Sequence, residues 1–138
     1  MTTEFIWPIR VYYEDTDAGG VVYYANYLKF YERARTEWLN KMQINQVELL
    51  DQNIVFVVTK AEIDYLKPAK FNNELVVKSR IIKISAASVE FEQKIILEEK
   101  RQSVLLNRAS IKVACLKHNS FSPCRIPANV KEEFQRVS

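Results

Sequence analysis

The strongest constraint on the fold is a single change of hydrophobic period along the chain. In residues 25–42 the apolar side chains recur at the spacing of a helix, whereas the flanking segments alternate with period two. The pattern predicts one amphipathic helix of about five turns. Because no other helix of that length is predicted, a sheet must cover its apolar stripe. The stripe consists of Tyr27, Leu28, Tyr31, Ala34, Arg35, Trp38, Leu39 and Met42.

Five segments have the alternation of β-strands, and most of them are long and joined by short links. Such links are typical of antiparallel hairpins, because parallel strands need long crossover connections. Two short helices are also predicted, over residues 46–52 and 128–136. The predicted strands cover residues 6–14, 54–66, 74–84, 87–98 and 103–116.

These elements predict an α+β fold with a single domain over residues 1–138. Their order is one strand, one long helix and then about four antiparallel strands. An antiparallel sheet wrapped round a long central helix buries the apolar stripe, and 138 residues are enough to build that core. This architecture is the hot-dog arrangement.

Residue counts exclude several classes of active site. The single histidine, His118, excludes a Ser-His-Asp triad of the common order and sites with several histidine ligands. Two cysteines, Cys115 and Cys124, are too few for a zinc ribbon or a disulfide scaffold. The only two glycines, Gly19 and Gly20, are adjacent, so neither a dinucleotide-binding motif nor a P-loop can be written with them.

The apolar runs are short, the longest being residues 21–25 and 54–58, so no membrane span is expected. The N-terminal sequence, with its charged residues, does not resemble a signal peptide. We therefore expect a cytoplasmic protein with reduced cysteines. Cys115 is expected to be a buried strand thiol and His118 a surface residue.

Charge is distributed unevenly, although the net charge is only +3. Residues 1–66 carry 6 Lys/Arg and 10 Asp/Glu, whereas residues 67–138 carry 14 and 7. A basic second half suits an anionic ligand, and it equally suits a solvated surface. No basic stripe or known motif predicts nucleic-acid binding.

The segment that carries candidate chemistry is residues 13–27, between the first strand and the long helix. It contains Asp15, Asp17 and both glycines. The first N–H groups of a helix are unpaired and carry partial positive charge, so they can stabilise an oxyanion. A carboxylate held nearby can act as a nucleophile or as a general base.

Other interpretations of this segment exist. The D-x-D-x-x-G spacing is like the start of a calcium loop, but Gly19 and Asn26 stand where that loop needs ligands. Phosphotransferases also use D-x-D, but they place it after a parallel strand. Asp15 and Asp17 could instead be only turn and capping residues. The residues by themselves leave this last alternative open.

The run YYEDTDAGGVVYYANYLKFYERARTEWL resembles the signature of the hot-dog acyl-CoA thioesterases. It is most similar to the Tol–Pal-associated (YbgC-type) branch, with the 4-hydroxybenzoyl-CoA thioesterases as relatives. The resemblance covers nearly the whole chain, including residues 64–69 and 111–115. It implies hydrolysis of acyl-CoA without metal or cofactor, by a homodimer or a homotetramer.

Matched by position, the resemblance implies that Asp17 is the catalytic aspartate and that Tyr13 acts beside it. Position 24 departs from the Tol–Pal branch, which usually has histidine there, whereas the hydroxybenzoyl-CoA branch has tyrosine, as here. In that branch the backbone N–H at this position polarises the thioester carbonyl. Tyr24 is therefore expected to act through its N–H, with Gly20 and Val21 contacting the substrate.

The resemblance also suggests residues that contact the rest of the substrate. Ser88 matches a serine that faces the nucleotide, but the basic residues that precede it in relatives are absent, and Lys83 is the nearest base. Glu32 matches a frequent acidic position. Glu32 and Arg35 could form an intrahelical pair, the simpler role, or reach a dimer partner. Other candidates for binding CoA are Lys67, Lys70 and Lys117, although each could be simply solvated.

The sequence therefore predicts a thioesterase that releases CoA, or the phosphopantetheine of acyl carrier protein, as a thiol. A hot-dog dehydratase needs a histidine near the central helix, and His118 is too far along the chain. A non-catalytic module that binds acyl-CoA or acyl carrier protein stays as the alternative. A single sheet of this kind leaves an edge and an apolar face exposed, which predicts at least a dimer.

Overall fold

The computed structural model describes residues 3–138, which form five strands and three α-helices. Strand β1 is Phe5–Arg10, and two 3₁₀ turns, Tyr13–Asp15 and Tyr24–Asn26, connect it to helix α1. The other elements are α1 (Tyr27–Lys41), α2 (Gln46–Asp51), β2 (Ile54–Tyr65), β3 (Glu74–Ile84), β4 (Ser88–Glu99), β5 (Gln102–Lys117) and α3 (Ala128–Val137). Among these described residues no helix is long and apolar enough to cross a membrane.

All five strands form one antiparallel sheet in the order β1-β3-β4-β5-β2. Strands β3, β4 and β5 follow one another as hairpins, as their short links predict. Strand β2 lies at the opposite edge from β1, so the chain crosses the sheet between β2 and β3. Helix α1 packs on the β1 and β3 side of one sheet face. The predicted α+β hot-dog fold is confirmed.

Helix α1 supplies the centre of the core. Phe30, Tyr31 and Ala34 are almost completely buried. Trp38 stacks on Phe5 at a ring distance of 5.7 Å and meets the edge of Phe91 at 6.1 Å. The predicted stripe is correct except at two positions. Leu28 is 42% exposed, because it faces a side of α1 that none of the described elements covers, and Phe30 takes its place in the core.

A buried polar network fixes α1 on the sheet. Gln93 on β4 accepts a hydrogen bond from Arg35 Nη1 at 2.8 Å and donates from Nε2 to the Tyr31 carbonyl oxygen at 3.0 Å. The same Nε2 donates to Ser79 Oγ on β3 at 2.8 Å. The Tyr31 hydroxyl donates to Asn107 Oδ1 on β5 at 2.6 Å. The network therefore joins the helix to three neighbouring strands.

Burial changes the acid–base properties of this network. It raises the pKa of Tyr31, so the phenol stays protonated and can donate. It lowers the pKa of the Arg35 guanidinium, an effect that nearby Glu32 opposes. The predicted intrahelical pair of Glu32 and Arg35 is wrong, because Arg35 turns inward to Gln93 while Glu32 Oε1 accepts from Thr36 Oγ1 at 3.1 Å.

The first strand is shorter than its alternation predicts. It ends at Arg10 rather than at residue 14, because the Asp15 side chain accepts the Tyr12 N–H at 2.8 Å and bends the chain into a 3₁₀ turn. Tyr13, which the alternation placed on the face of Ile9 and Val11, is consequently 80% exposed.

Replacement of Gln93 by leucine tests the network. Gln93→Leu removes three hydrogen bonds and leaves the buried guanidinium of Arg35 without a partner. We expect the free energy of unfolding to fall by about 3 kcal/mol, since orphaned buried groups, charged ones above all, are destabilising on that scale. Gln102→Leu, at an exposed position, is the matched control and should change it by less than about 0.5 kcal/mol. Equal urea midpoints for the two variants would contradict this role of Gln93.

Candidate active site

The segment between β1 and α1 closes into a small hairpin. Thr16 pairs with Val22, and the Asp17 N–H donates to the Val21 carbonyl at 2.9 Å. A turn at its tip is closed by the Gly20 N–H, which donates to the Asp17 carbonyl at 3.0 Å. Gly20 has φ +79°, a left-handed conformation that glycine adopts without steric penalty. The hairpin therefore presents Asp17 at the start of an ordered turn.

The Asp17 side chain is exposed but held. Its Oδ1 accepts the Gly19 N–H at 2.8 Å, and a Cβ at position 19 would lie only 3.2 Å from this oxygen. Gly19 therefore lets the backbone come close to the carboxylate. Among residues 3–138 no group donates to Oδ2, so one oxygen orients the side chain and the other faces outward.

Asp15 has a different environment. It is only 7% exposed, and its Oδ2 accepts the Tyr12 N–H. Its carbonyl oxygen accepts from the Tyr23 N–H and from Asn26 Nδ2, both at 2.9 Å. Asp15 thus joins the end of β1 to the approach to α1, so the turn-and-cap interpretation that the sequence left open fits Asp15 better than Asp17.

Tyr24 opens the 3₁₀ turn that leads into α1. Within the described part of the chain, its N–H has no acceptor, as expected for the first residue of a helical turn. Its carbonyl is fixed by the Tyr65 hydroxyl, which donates at 3.0 Å. Since α1 begins at Tyr27, this N–H lies at the positive end of the helix.

Residues 66–73 hold the hairpin in place. The Val22 N–H donates to the Ala69 carbonyl at 2.8 Å, and the Ala69 N–H donates to the Tyr27 hydroxyl at 3.1 Å. Lys70 pairs with Val21. Sequence reasoning missed Tyr65, Tyr27 and Ala69 as supports of the site, because these contacts join segments about forty residues apart and have no local signal.

Exposed aromatic side chains come from the residues on both sides of the Asp17 hairpin. Tyr13 packs on Phe71 at a ring distance of 4.6 Å, and Tyr24, which is 63% exposed, lies 4.9 Å from Tyr23. The neighbouring Tyr24 hydroxyl raises the pKa of Tyr23. Burial, with Tyr24, raises the pKa of Tyr65. These two phenols are therefore neutral donors, and the group suited to attack or to accept a proton is a carboxylate.

Glu32 lies further along α1, eight residues after Tyr24, which corresponds to a rise of about 12 Å along the helix axis. It lines a cavity of about 130 Å³ on the open side of the helix. Arg35 and a set of apolar side chains form the remaining walls. The apolar lining includes Leu39, Phe56, Val58, Val89, Phe91, Val113 and Phe134.

Lys83 and Ser88 lie at the other end of the sheet from Asp17. Ser88 pairs with Ala114 on β5, whereas Tyr65, which contacts Tyr24, pairs with Asn107. Ala114 and Asn107 are seven residues apart along β5, which corresponds to roughly 23 Å. Lys83 pairs with Glu90, whose neighbours along β4 are buried, so both side chains face away from α1. The structure does not bring these residues to Asp17 within one chain.

The other candidate bases divide between the two ends. Lys70 pairs with Val21 of the Asp17 hairpin. Lys67 lies on the same segment as Lys70, and the Lys67 N–H donates to the Leu106 carbonyl at 3.0 Å. Lys117 pairs with Ile54 at the far end of β2. Lys67 and Lys70 are therefore the bases nearest the site.

Comparison with known proteins identifies the family. The model of the thioesterase superfamily matches residues 19–104. The chain is 42% identical over 135 residues to the acyl-CoA thioester hydrolase YbgC of Escherichia coli O6:H1, with 98% of each chain covered. It is also 42% identical over 134 residues to the acyl-CoA thioesterase YbgC of Haemophilus influenzae, with 96% of each covered.

A solved structure has the same fold. The probable thioesterase from Bartonella henselae superposes with a TM-score of 0.81 at 35% identity, over 91% of this chain and 100% of that one. The family predicted from the residues around Asp17 is confirmed, and this chain belongs to the thioesterase superfamily.

Proposed function

We propose that this chain is an acyl-CoA thioesterase in which Asp17 and the Tyr24 N–H form one catalytic site. The observation that carries the proposal is their arrangement on one short hydrogen-bonded segment, with Asp17 in the hairpin and Tyr24 in the 3₁₀ turn that follows it. Among residues 3–138, Asp17 Oδ2 accepts no hydrogen bond, and the Tyr24 N–H, in the 3₁₀ turn that leads into α1, has no acceptor. The YbgC relatives, named as acyl-CoA thioester hydrolases, support the choice of substrate.

The reaction needs one anionic oxygen and one hydrogen-bond donor. Asp17 Oδ2 either attacks the thioester carbon, giving an anhydride that water then cleaves, or takes a proton from the attacking water. In both routes the carbonyl oxygen gains negative charge, and the Tyr24 N–H donates to it. The C–S bond breaks, and CoA leaves as a thiol once its sulfur is protonated. Neither route passes through a metal ion.

The surrounding side chains fit binding of the thioester arm. Tyr13 and Phe71 form an apolar wall beside the Asp17 turn. Of the candidate bases, Lys67 and Lys70 lie on the segment that is hydrogen-bonded to the hairpin, so we assign them to the phosphates of CoA. Lys83 and Ser88 can contact the CoA of this site only from a second copy or through an extended ligand. Acyl carrier protein carries the same phosphopantetheine arm and is a second possible donor of the substrate.

We place the acyl chain along the open side of α1. From Tyr24 this side passes Leu28 and Glu32 and ends at the cavity that Arg35 and Phe56 line. Gly20 and Val21 form the backbone at its entrance. An acyl-CoA substrate also agrees with the cytoplasmic location expected from the sequence.

We further propose that the chain assembles as a homodimer or homotetramer. Strand β2 is an edge strand and is mostly exposed, and an exposed edge favours pairing. Tyr65 at the end of this strand and Tyr24, whose ring it meets, add exposed aromatic surface to it. Light scattering at micromolar concentration should give at least twice the monomer mass of 16.2 kDa. A monomer mass would contradict the assembly.

The most direct test of Asp17 is its replacement by asparagine. The amide of Asp17→Asn keeps an oxygen for the Gly19 N–H, so the hairpin should persist, but it removes the anionic oxygen. The kcat is measured on the best substrate of a series of short, long and aromatic acyl-CoAs. We expect it to fall about 10²–10⁴-fold, the scale of a lost general base, or more if Asp17 is the nucleophile. Folding and binding of acyl-CoA should change little.

Asp15→Asn is the matched control, because it removes the same charge two residues away. Asp15 accepts the Tyr12 N–H, and the amide oxygen of asparagine can still accept it, so this replacement should change stability by no more than about 1 kcal/mol and leave turnover largely intact. Measurement of kcat and Tm for both variants separates the roles. If Asp15→Asn were the inactive variant, or if Asp17→Asn kept most of its kcat, the assignment would be wrong.

Two substitutions at position 24 separate its phenol from its N–H. Tyr24→Phe keeps the N–H and should retain much of the activity. Tyr24→Pro removes the N–H, and the turn should tolerate it because Tyr23 has ψ 131° and proline suits the first position of a helical turn. We expect kcat to fall about 10²–10³-fold in Tyr24→Pro, as for one lost oxyanion donor. A comparable loss in a folded Tyr24→Phe variant would instead assign the role to the phenol.

The alternative function, a non-catalytic acyl-CoA or acyl-carrier-protein binding module, makes a different prediction. It expects saturable binding of acyl-CoA without release of thiol across short, long and aromatic acyl groups. Turnover that depends on Asp17 would exclude it.

A further inference from the structure

The two cysteines of the chain meet at the far end of β5, away from Asp17. Cys115 Sγ and Cys124 Sγ are 3.6 Å apart, and both are free thiols. We propose that Cys115 and Cys124 form an intramolecular disulfide when the protein meets a peroxide. This inference is independent of the proposed thioesterase activity.

The backbone between the two thiols has the geometry that a disulfide needs. Residues 117–122 turn the chain back, so that Leu116 pairs with Pro123 and the Cys124 N–H donates to the Cys115 carbonyl at 2.9 Å. The Lys117 N–H donates to Ser122 in the same ladder. Cys115 and Cys124 are therefore opposite each other, and opposed residues of antiparallel strands have Cα separations of about 4.5–5.5 Å. That separation lies within the range that disulfides span.

The two thiols differ in accessibility, which sets their order of reaction. Cys115 is completely buried, and burial together with Cys124 raises its pKa to about 12. Cys124 is partly exposed. Since peroxides oxidise accessible thiolates, Cys124 should react first. Cys115 then faces the oxidised sulfur at contact distance, and this proximity compensates for its weak acidity.

The chemistry balances with hydrogen peroxide as the oxidant. The Cys124 thiolate attacks one peroxide oxygen, which gives a sulfenic acid and, after protonation, water. The Cys115 sulfur then attacks the sulfenic sulfur, loses its proton and displaces a second water. Two thiols thus lose two electrons and two protons, and one molecule of peroxide becomes two of water.

The disulfide would link the C-terminal segment covalently to the sheet. Cys124 lies just before the chain enters α3, whose Phe134 packs against Phe56 on β2 at a ring distance of 6.1 Å. Closure of the ten-residue loop restricts the unfolded chain more than the folded one. The oxidised protein should therefore melt several degrees above the reduced protein.

Peptide mapping tests the proposal, because trypsin cleaves between the two cysteines at Lys117. The protein is treated with hydrogen peroxide, unfolded, alkylated with N-ethylmaleimide and digested without a reducing agent. We expect residues 113–117 to be covalently linked to residues 118–125, with a mass that separates into two peptides after reduction. In Cys124→Ser, the matched control, residues 113–117 should carry an alkylated Cys115 before and after peroxide.

Three results would overturn the proposal. The first is recovery of both peptides with alkylated cysteines at peroxide levels that oxidise other exposed thiols. The second is oxidation of Cys124 to a sulfinic acid without loss of the Cys115 thiol. The third is a cross-link between chains, visible as a dimer on a non-reducing gel. A Tm of the disulfide-linked form equal to or below that of the reduced protein would refute the stabilisation by the disulfide.

Discussion

Gln93 holds the long helix α1 at one rotation and one depth on the sheet. Its side chain accepts from Arg35 and donates to the Tyr31 carbonyl and to Ser79, so one amide joins two turns of helix to two strands. Apolar packing alone would leave the helix free to slide, because hydrophobic contacts are not directional. Because α1 is fixed on the sheet, the start of the helix lies where Tyr65 and Ala69 can form hydrogen bonds with it. These contacts in turn set the position of the Tyr24 N–H.

The Asp17 hairpin combines a rigid frame with one unengaged carboxylate oxygen. Asp15 provides the frame, since its buried side chain and its carbonyl join the end of β1 to Tyr23 and Asn26. Within the described part of the chain, Asp17 accepts a hydrogen bond through one carboxylate oxygen only. Two carboxylates of the same type, two residues apart, therefore have separate tasks, and the difference arises from burial and donors rather than from residue type. Preorganisation of this kind lowers the reorganisation that a charged transition state requires.

Much of this architecture could be predicted from the sequence because it depends on local periodicity. The bounds of β3 match the prediction, and those of β2, β4, β5 and α3 differ from it by one residue. The end of β1 could not be predicted, because it depends on a side-chain hydrogen bond from Asp15 rather than on alternation. The strand order could not be predicted either, because the local pattern does not show that β2 lies at the edge opposite β1.

Predictions about the site divide in the same way. Asp17 and Tyr24 follow from a contiguous motif, and they lie on consecutive parts of one segment, the hairpin and the 3₁₀ turn after it. Ser88 was matched to a serine that faces the nucleotide in relatives, and Lys83 was the base nearest to it; the structure places both at the other end of the sheet, facing away from α1. Glu32 was expected to pair with Arg35, but the buried amide of Gln93 competes for the guanidinium. In these cases the deciding contact comes from another strand.

The central claim is that Asp17 and the Tyr24 N–H act on the same thioester. The measurement that tests it most directly is a crystal structure of Asp17→Asn with an intact acyl-CoA bound. The account predicts a thioester oxygen about 3 Å from the Tyr24 nitrogen, and a thioester carbon about 3–3.5 Å from the side chain at position 17. A thioester bound at the far end of the sheet, or with its oxygen turned away from Tyr24, would contradict it.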